Sequence, residues 1–129
     1  MSLETDAYRC PCGWGDPYGQ CCGRYHAGEP APTAEALMRS RYSAFVLGDD
    51  EYLLRTWAPE NRPAGMDLDD GISWQRLVVL GRTAGGPFDS EGSVEFEAWY
   101  RFEGHREVQR EDSFFRRDQG RWVYVGPRS

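Results

Sequence analysis

All four cysteines of this 129-residue chain fall between residues 10 and 22, within "RCPCGWGDPYGQCCGRYH" (residues 9–26). Sulfurs this close must form a disulfide knot, a reactive thiol site or a metal clip, and the choice decides how the chain begins to fold. Bridging Cys10 to Cys12, or the adjacent Cys21 to Cys22, closes rings too small for ordinary disulfide geometry, so only crosswise pairs are comfortable. A four-ligand metal site carries no such strain. Zinc takes thiolates tetrahedrally at about 2.3 Å, and two ligand pairs joined by a turn can supply them. Gly13, Gly15, Asp16, Pro17 and Gly19 are residues that let the loop reverse between the pairs. The spacing, C-x-C and then C-C, is not that of paired C-x-x-C knuckles. His26 competes with Cys22 as fourth ligand, because imidazole also binds zinc. A redox role is the weaker reading, since no basic cluster or helix start stands beside these thiols to lower their pKa.

The rest of the sequence bounds the setting. No stretch approaches the roughly 20 apolar residues of a membrane span, and "MSLETDAYRC" lacks the basic start and apolar run of a leader. The expectation is a cytoplasmic protein without membrane contact, in a compartment that keeps thiols reduced and so favours metal over disulfide. The net charge is −6 and all 15 basic residues are arginine. Such a chain is a poor nonspecific ligand for nucleic acid. Its length suits one domain plus a small appendage. The glycine and prolines of "HAGEPAPT" mark the boundary, giving a clip over 1–28 and a main domain over 29–129.

In that domain, "EPAPTAEALMRSRYSAFVLGDD" reads as an amphipathic helix, with Thr33 as N-cap, an apolar stripe at Ala34, Leu37, Met38, Tyr42 and Phe45, and a stop at Gly48. Glu35 and Arg39 form an i,i+4 pair placed on its outer side. Asp49 or Asp50 caps a shorter helix that ends before Pro59. Period-two runs follow: "SWQRLVVLGRTA", "SVEFEAWYRFEG" and roughly 106–116. A "DQG" turn at 118–120 then leads to "RWVYV". Helices followed by strands imply an α+β domain with helices on one face of an antiparallel sheet.

The motif "CPCGWGDPYGQCCG" resembles the SEC-C zinc-binding motif. With "CCGRYHAGEPAPTAEALMRSRYSAFVLGDDEYLLRTWAP" and "DQGRWVYVGP", nearly the whole chain resembles the YchJ-like family of uncharacterised bacterial proteins. That family joins the motif to a nuclear-transport-factor-2-like domain. The resemblance implies a cystatin-like cone in which a curved sheet wraps the helices, with structural zinc on Cys10, Cys12, Cys21 and Cys22. This chain departs from the family motif at Trp14, where serine is common, and at Asp16 and Gln20, where lysines are common. It also lacks the second, C-terminal copy of the motif that some relatives carry.

Two functions follow from these readings. In the leading one the metal clip is a rigid knob that presents Trp14, Tyr18 and Tyr25 to a protein partner, because aromatics on a rigid frame make good interface anchors. The alternative is a small-molecule binder or enzyme using the cone pocket, with Tyr42, Trp57, Trp74 and Asp112 as its candidate residues. Trp99 falls on the strand face shared with Glu95, Glu97 and Arg101, the wetter side, and His105 falls in a turn. No set of nucleophile, base and orienter can be assembled from these residues, so a catalytic role is not expected. Arg39, Arg41, Arg55 and Arg62 offer a patch for a carboxylate or phosphate. Exposed sheet faces of this fold class also suit a homodimer.

Overall fold

The computed structural model describes residues 8–128; residues 1–7, where the lack of a leader was read, and residue 129 lie outside the described residues. The helices are α1 (Cys22–His26), α2 (Ala34–Leu47) and α3 (Asp50–Arg55), and the strands are β1 (Ser73–Ala84), β2 (Glu91–Phe102), β3 (His105–Asp118) and β4 (Arg121–Pro127). Short 3-10 turns occupy Tyr18–Gln20 and Pro59–Asn61. The four strands form one antiparallel sheet in the order β1-β2-β3-β4. The helices pack on a single face of this curved sheet, the expected α+β architecture.

Local chemistry fixes the ends of the elements. The Thr33 hydroxyl accepts the Ala36 N–H at 3.0 Å, and Gly48, at φ 73°, ends α2 in the left-handed conformation that costs glycine least. Asp49 accepts the Tyr52 N–H at 3.1 Å and starts α3. The sheet follows the period-two pattern, so Val94, Phe96 and Ala98 face the helices together with their β3 partners Ser113, Glu111 and Gln109. Register shifts in β1 between Trp74 and Arg76, and between Val79 and Gly81, change which residues face inward. They leave Arg82 opposite Val94, on the helix side, where it pairs with Glu35.

Leu37, Met38, Tyr42, Leu53, Val94, Phe115 and Trp122 form the main core between α2, α3 and the sheet. The other side of α2 is covered as well. The Cys10 Sγ lies 3.5 Å from the Ser43 hydroxyl, and Arg39 donates to the Cys12 carbonyl at 2.9 Å. Arg55 donates to the carbonyls of Tyr25 and His26 at 3.1 and 3.0 Å. The cysteine segment therefore lies along α2, and Ser40 and Ser43 are fully buried beneath it. This corrects the placing of Glu35 and Arg39 on an outer face. Glu35 is only 7% exposed and accepts hydrogen bonds from both Arg39 and Arg82.

His26 is the hinge pin of this seam. Its Nε2 lies 2.8 Å from the Ser40 carbonyl, which can only accept, so Nε2 carries the proton. In the neutral ring, Nδ1 accepts the Tyr18 hydroxyl at 2.5 Å. Burial pushes the His26 pKa below the ordinary 6.5, against an opposing contribution from the Ser40 bond.

Two predictions arise from the packing. A Cβ on Gly92 would lie 2.5 Å from the Gly85 nitrogen, so Gly92→Ala should lower the stability measured by urea unfolding by about 1–3 kcal/mol. Because the folded His26 pKa is depressed, the unfolded chain binds the extra proton. Stability from this residue is therefore complete above pH about 6.5 and is lost as pH falls through the folded pKa. Denaturation at a series of pH values should show this slope in the wild type and a shallower one in His26→Gln.

Candidate metal centre and cone cavity

The chain around the cysteines makes a narrow hairpin: Tyr18 N–H donates to the Tyr8 carbonyl at 2.7 Å and Cys10 N–H to the Asp16 carbonyl at 2.9 Å. The 3-10 turn and α1 follow at once and bring Cys21 and Cys22 back against Cys10 and Cys12. Gly23 permits the return, because a Cβ there would lie 2.7 Å from the Tyr18 carbonyl oxygen. The four Sγ atoms lie within 4.8 Å of one another, and all four cysteines are buried and unbridged. Cys12 and Cys21 sulfurs are 3.6 Å apart. A tetrahedron of sulfurs about 2.3 Å from a central ion has edges of about 3.8 Å, so the donor set fits a metal.

The electrostatics agree with that fit. Hydrogen bonds from Cys12 and Cys22 push the Cys10 thiol far down, while bonding to Cys10 and Cys12 pushes Cys22 far up. Burial, followed by the charges of Cys12 and Cys10, raises Cys21 to about 12. One thiolate thus suppresses the next, a conflict that a divalent cation at the centre removes by favouring ionisation of all four. His26, the rival ligand in the sequence, stands outside the sulfur cluster, since both of its ring nitrogens are engaged elsewhere.

The clip does not present its aromatics as the sequence suggested. Trp14 is 56% exposed, with the Arg39 guanidinium 4.4 Å from its ring centroid. Tyr18 is buried beside the cysteines and Tyr25 in the main core, so neither is a surface anchor. The two rings sit on the side of the clip that meets the domain, which a local reading of the motif could not reveal.

A second site lies between α2 and the sheet. There the structure holds a cavity of about 240 Å³, lined by Met38, Phe45, Phe96, Ala98 and Phe115, with the rings of Tyr42, Trp57, Trp74 and Tyr124. Its polar wall is Arg41, Gln109, Glu111 and Ser113. Glu111 accepts from Ser113 and from the Tyr124 hydroxyl at 2.8 Å, and Gln109 donates to its other oxygen at 3.4 Å. Burial, reinforced by the hydrogen bond to Glu111, pushes the Tyr124 pKa up. Arg41 is 6% exposed and donates through Nη1 to the Leu53 carbonyl at 2.8 Å and the Thr56 hydroxyl at 2.7 Å. Its guanidinium carbon lies 5.0 Å from the Trp57 centroid and 4.6 Å from that of Tyr124, and burial lowers its pKa to about 10.

Of the pocket candidates, Tyr42, Trp57 and Trp74 line this cavity and Asp112 does not. Asp112 pairs in register with Glu95 on the opposite face, one residue out of phase with Glu111 and Ser113. Trp99 is on that outer face, half-buried, donating to Glu97 at 3.3 Å, and His105 is exposed at the start of β3. The arginines read as one patch divide, with Arg55 and Arg62 lining a second hollow together with Glu29, Asp118 and Arg121, and Arg39 and Arg41 lying outside it. Arg39 binds Glu35 and the clip, Arg55 binds clip carbonyls, and Arg62 donates to the Trp57 carbonyl at 3.0 Å. Arg41 alone of the four reaches the cavity. Glu111, Ser113 and Gln109 were missed, although their alternation with Phe115 in "QREDSFF" could have marked them.

Comparison with known proteins agrees with the fold and the motif. Residues 33–127 match the family model described as YchJ, middle NTF2-like domain. A UPF0225 protein of Corynebacterium glutamicum is 57% identical over 117 residues, spanning 90% of this chain and 93% of its own length. One of Streptomyces coelicolor is 53% identical over 117 residues, spanning 90% and 91%. The solution structure of a SEC-C motif-containing protein from Rhodopseudomonas palustris superposes with a TM-score of 0.82 at 36% identity, covering 95% of this chain and 98% of the other. The crystal structure of another, from Psychrobacter arcticus, gives 0.80 at 27% identity, covering 98% and 85%. With a family model over most of its length and close relatives along nearly all of it, the chain belongs to the YchJ-like UPF0225 family.

Proposed function

We propose that this protein binds a small molecule in the cone cavity, and that its four cysteines hold a structural zinc ion. The cavity carries the reading: a space of about 240 Å³ in a cone wall built mainly of aromatic rings, with a buried cation on one side. Ligand sites are commonly of this kind, apolar hollows with a few fixed polar groups. A dry interior of about 150 Å³ already accommodates benzene, so a molecule of one ring with a polar substituent fits here.

Zinc is supported by the soft four-thiolate donor set, by its near-tetrahedral spacing and by the SEC-C motif of the two solved neighbours. The ion would cross-link the hairpin to α1 and hold the clip against α2. Docking of a protein partner on the clip is a second reading, and it now rests on Trp14, the exposed aromatic among the three proposed anchors. In that reading Trp14→Ala should weaken capture of a partner while leaving zinc content unchanged.

Two measurements test the main proposal. Elemental analysis should find about one zinc per chain, lost in Cys22→Ser and retained in His26→Gln. Chelation should lower the melting temperature steeply, since structural zinc contributes on the order of 10 kcal/mol. For the cavity, intrinsic fluorescence should respond to single-ring ligands through Trp57 and Trp74. Ala98→Phe, which grows into the open space, should abolish that response and keep the circular dichroism of the wild type.

A further inference from the structure

Arg41 is the least explained charge in the molecule. It sits on α2 at 6% exposure, its guanidinium near the rings of Trp57 and Tyr124, in the wall of the cone cavity. Its Nη1 holds the C-terminal end of α3 through Leu53 and Thr56. Nε and Nη2 have no partner among the described residues. No carboxylate among the described residues lies within 4.0 Å of it, although Glu111 shares the cavity. A buried guanidinium with unmet donors is costly unless something outside the chain supplies acceptors.

Glu111 is poorly placed to be that acceptor, being occupied by its own donors, Ser113, Tyr124 and Gln109. Tyr42, 5% exposed and also in the wall, has a hydroxyl without a partner among the described residues. The cavity therefore has surplus donors and a satisfied acid. A planar group with two acceptor oxygens matches a guanidinium edge. The surrounding aromatic and aliphatic wall selects an apolar body, and the volume limits it to about one ring.

We infer that the cone cavity is a site for a small monocarboxylate with an apolar body, its carboxylate held by Arg41 at Nε and Nη2 and its body among Trp57, Trp74, Phe96 and Phe115. The inference rests on the binding role proposed for the cavity and names the chemical class of its ligand. The carboxylate lies in a site already holding Glu111, so the same geometry makes Glu111 a brake on affinity.

The test is titration of the zinc-loaded full chain with benzoate and with benzamide, its uncharged isostere, followed by tryptophan fluorescence and calorimetry. Benzoate should bind about tenfold or more tightly than benzamide, the margin of a charge-assisted over a neutral hydrogen bond. That preference should disappear in Arg41→Lys, which keeps the charge but not the two-donor edge. Glu111→Gln, which leaves Arg41 in place, should improve benzoate binding a few-fold relative to benzamide, and it carries the test if Arg41→Lys does not fold. Equal binding of the two probes, or a preference that survives Arg41→Lys, or an equal effect of Glu111→Gln on both, overturns the carboxylate assignment and leaves the cavity reading intact. Binding of neither probe overturns both.

Discussion

Helix α2 is buried from two sides, and this double burial is the constraint on which the other features depend. On one side it meets the sheet through Leu37, Met38 and Tyr42. On the other it meets the cysteine clip through Arg39, Ser40 and Ser43. A helix in that position cannot carry a solvated polar face, and its buried polar groups must find partners within the protein. Ser40 illustrates the solution: its hydroxyl meets Tyr52 at 2.6 Å and the Leu37 carbonyl at 2.7 Å, and its own carbonyl receives His26. The clip therefore supplies one wall of the domain, and a metal there would brace α2 as well as the hairpin.

The same arrangement reaches the cavity. Arg41 lies between Ser40, which is fixed from the clip side, and Tyr42, which packs toward the sheet. Its Nη1 bonds hold the end of α3, just before the segment 56–58 pairs with β4 through Thr56, Ala58 and Tyr124. Tyr124 in turn carries Glu111. Hydrogen bonds and ring contacts thus run from the His26–Ser40 seam through Tyr52, Thr56, Arg41 and Tyr124 to the polar wall of the cone. The thiol cluster and the cavity therefore belong to one packed unit, with α2 between them.

Much of this was legible in the sequence, and the misses share a cause. Caps at Thr33 and Asp49, the stop at Gly48 and the alternation of β2 are local chemistry, and the elements they announce are present. The clustering of Cys10, Cys12, Cys21 and Cys22 is also nearly local, since one short reversal brings the pairs together. Glu35 was misplaced because its partner Arg82 lies 47 positions away and reaches it only through two register shifts in β1. Asp112 stood among the pocket candidates and Glu111 did not, although Gln109, Glu111 and Ser113 alternate in phase with Phe115; the pairing of Ser113 with Val94 turns that phase toward the helices. Tyr18 and Tyr25 looked like surface anchors because nothing in the motif shows which side of the clip meets α2.

The coupling of clip and domain can be measured by amide hydrogen exchange on the zinc-loaded chain, before and after removal of the metal with a chelator. If the clip is a wall of the core, removal should speed exchange in α2 around Ser40–Ala44 together with that in the clip, because the two open as one unit. Faster exchange confined to residues 8–28, with α2 as protected as before, would contradict the account and reduce the clip to an appendage.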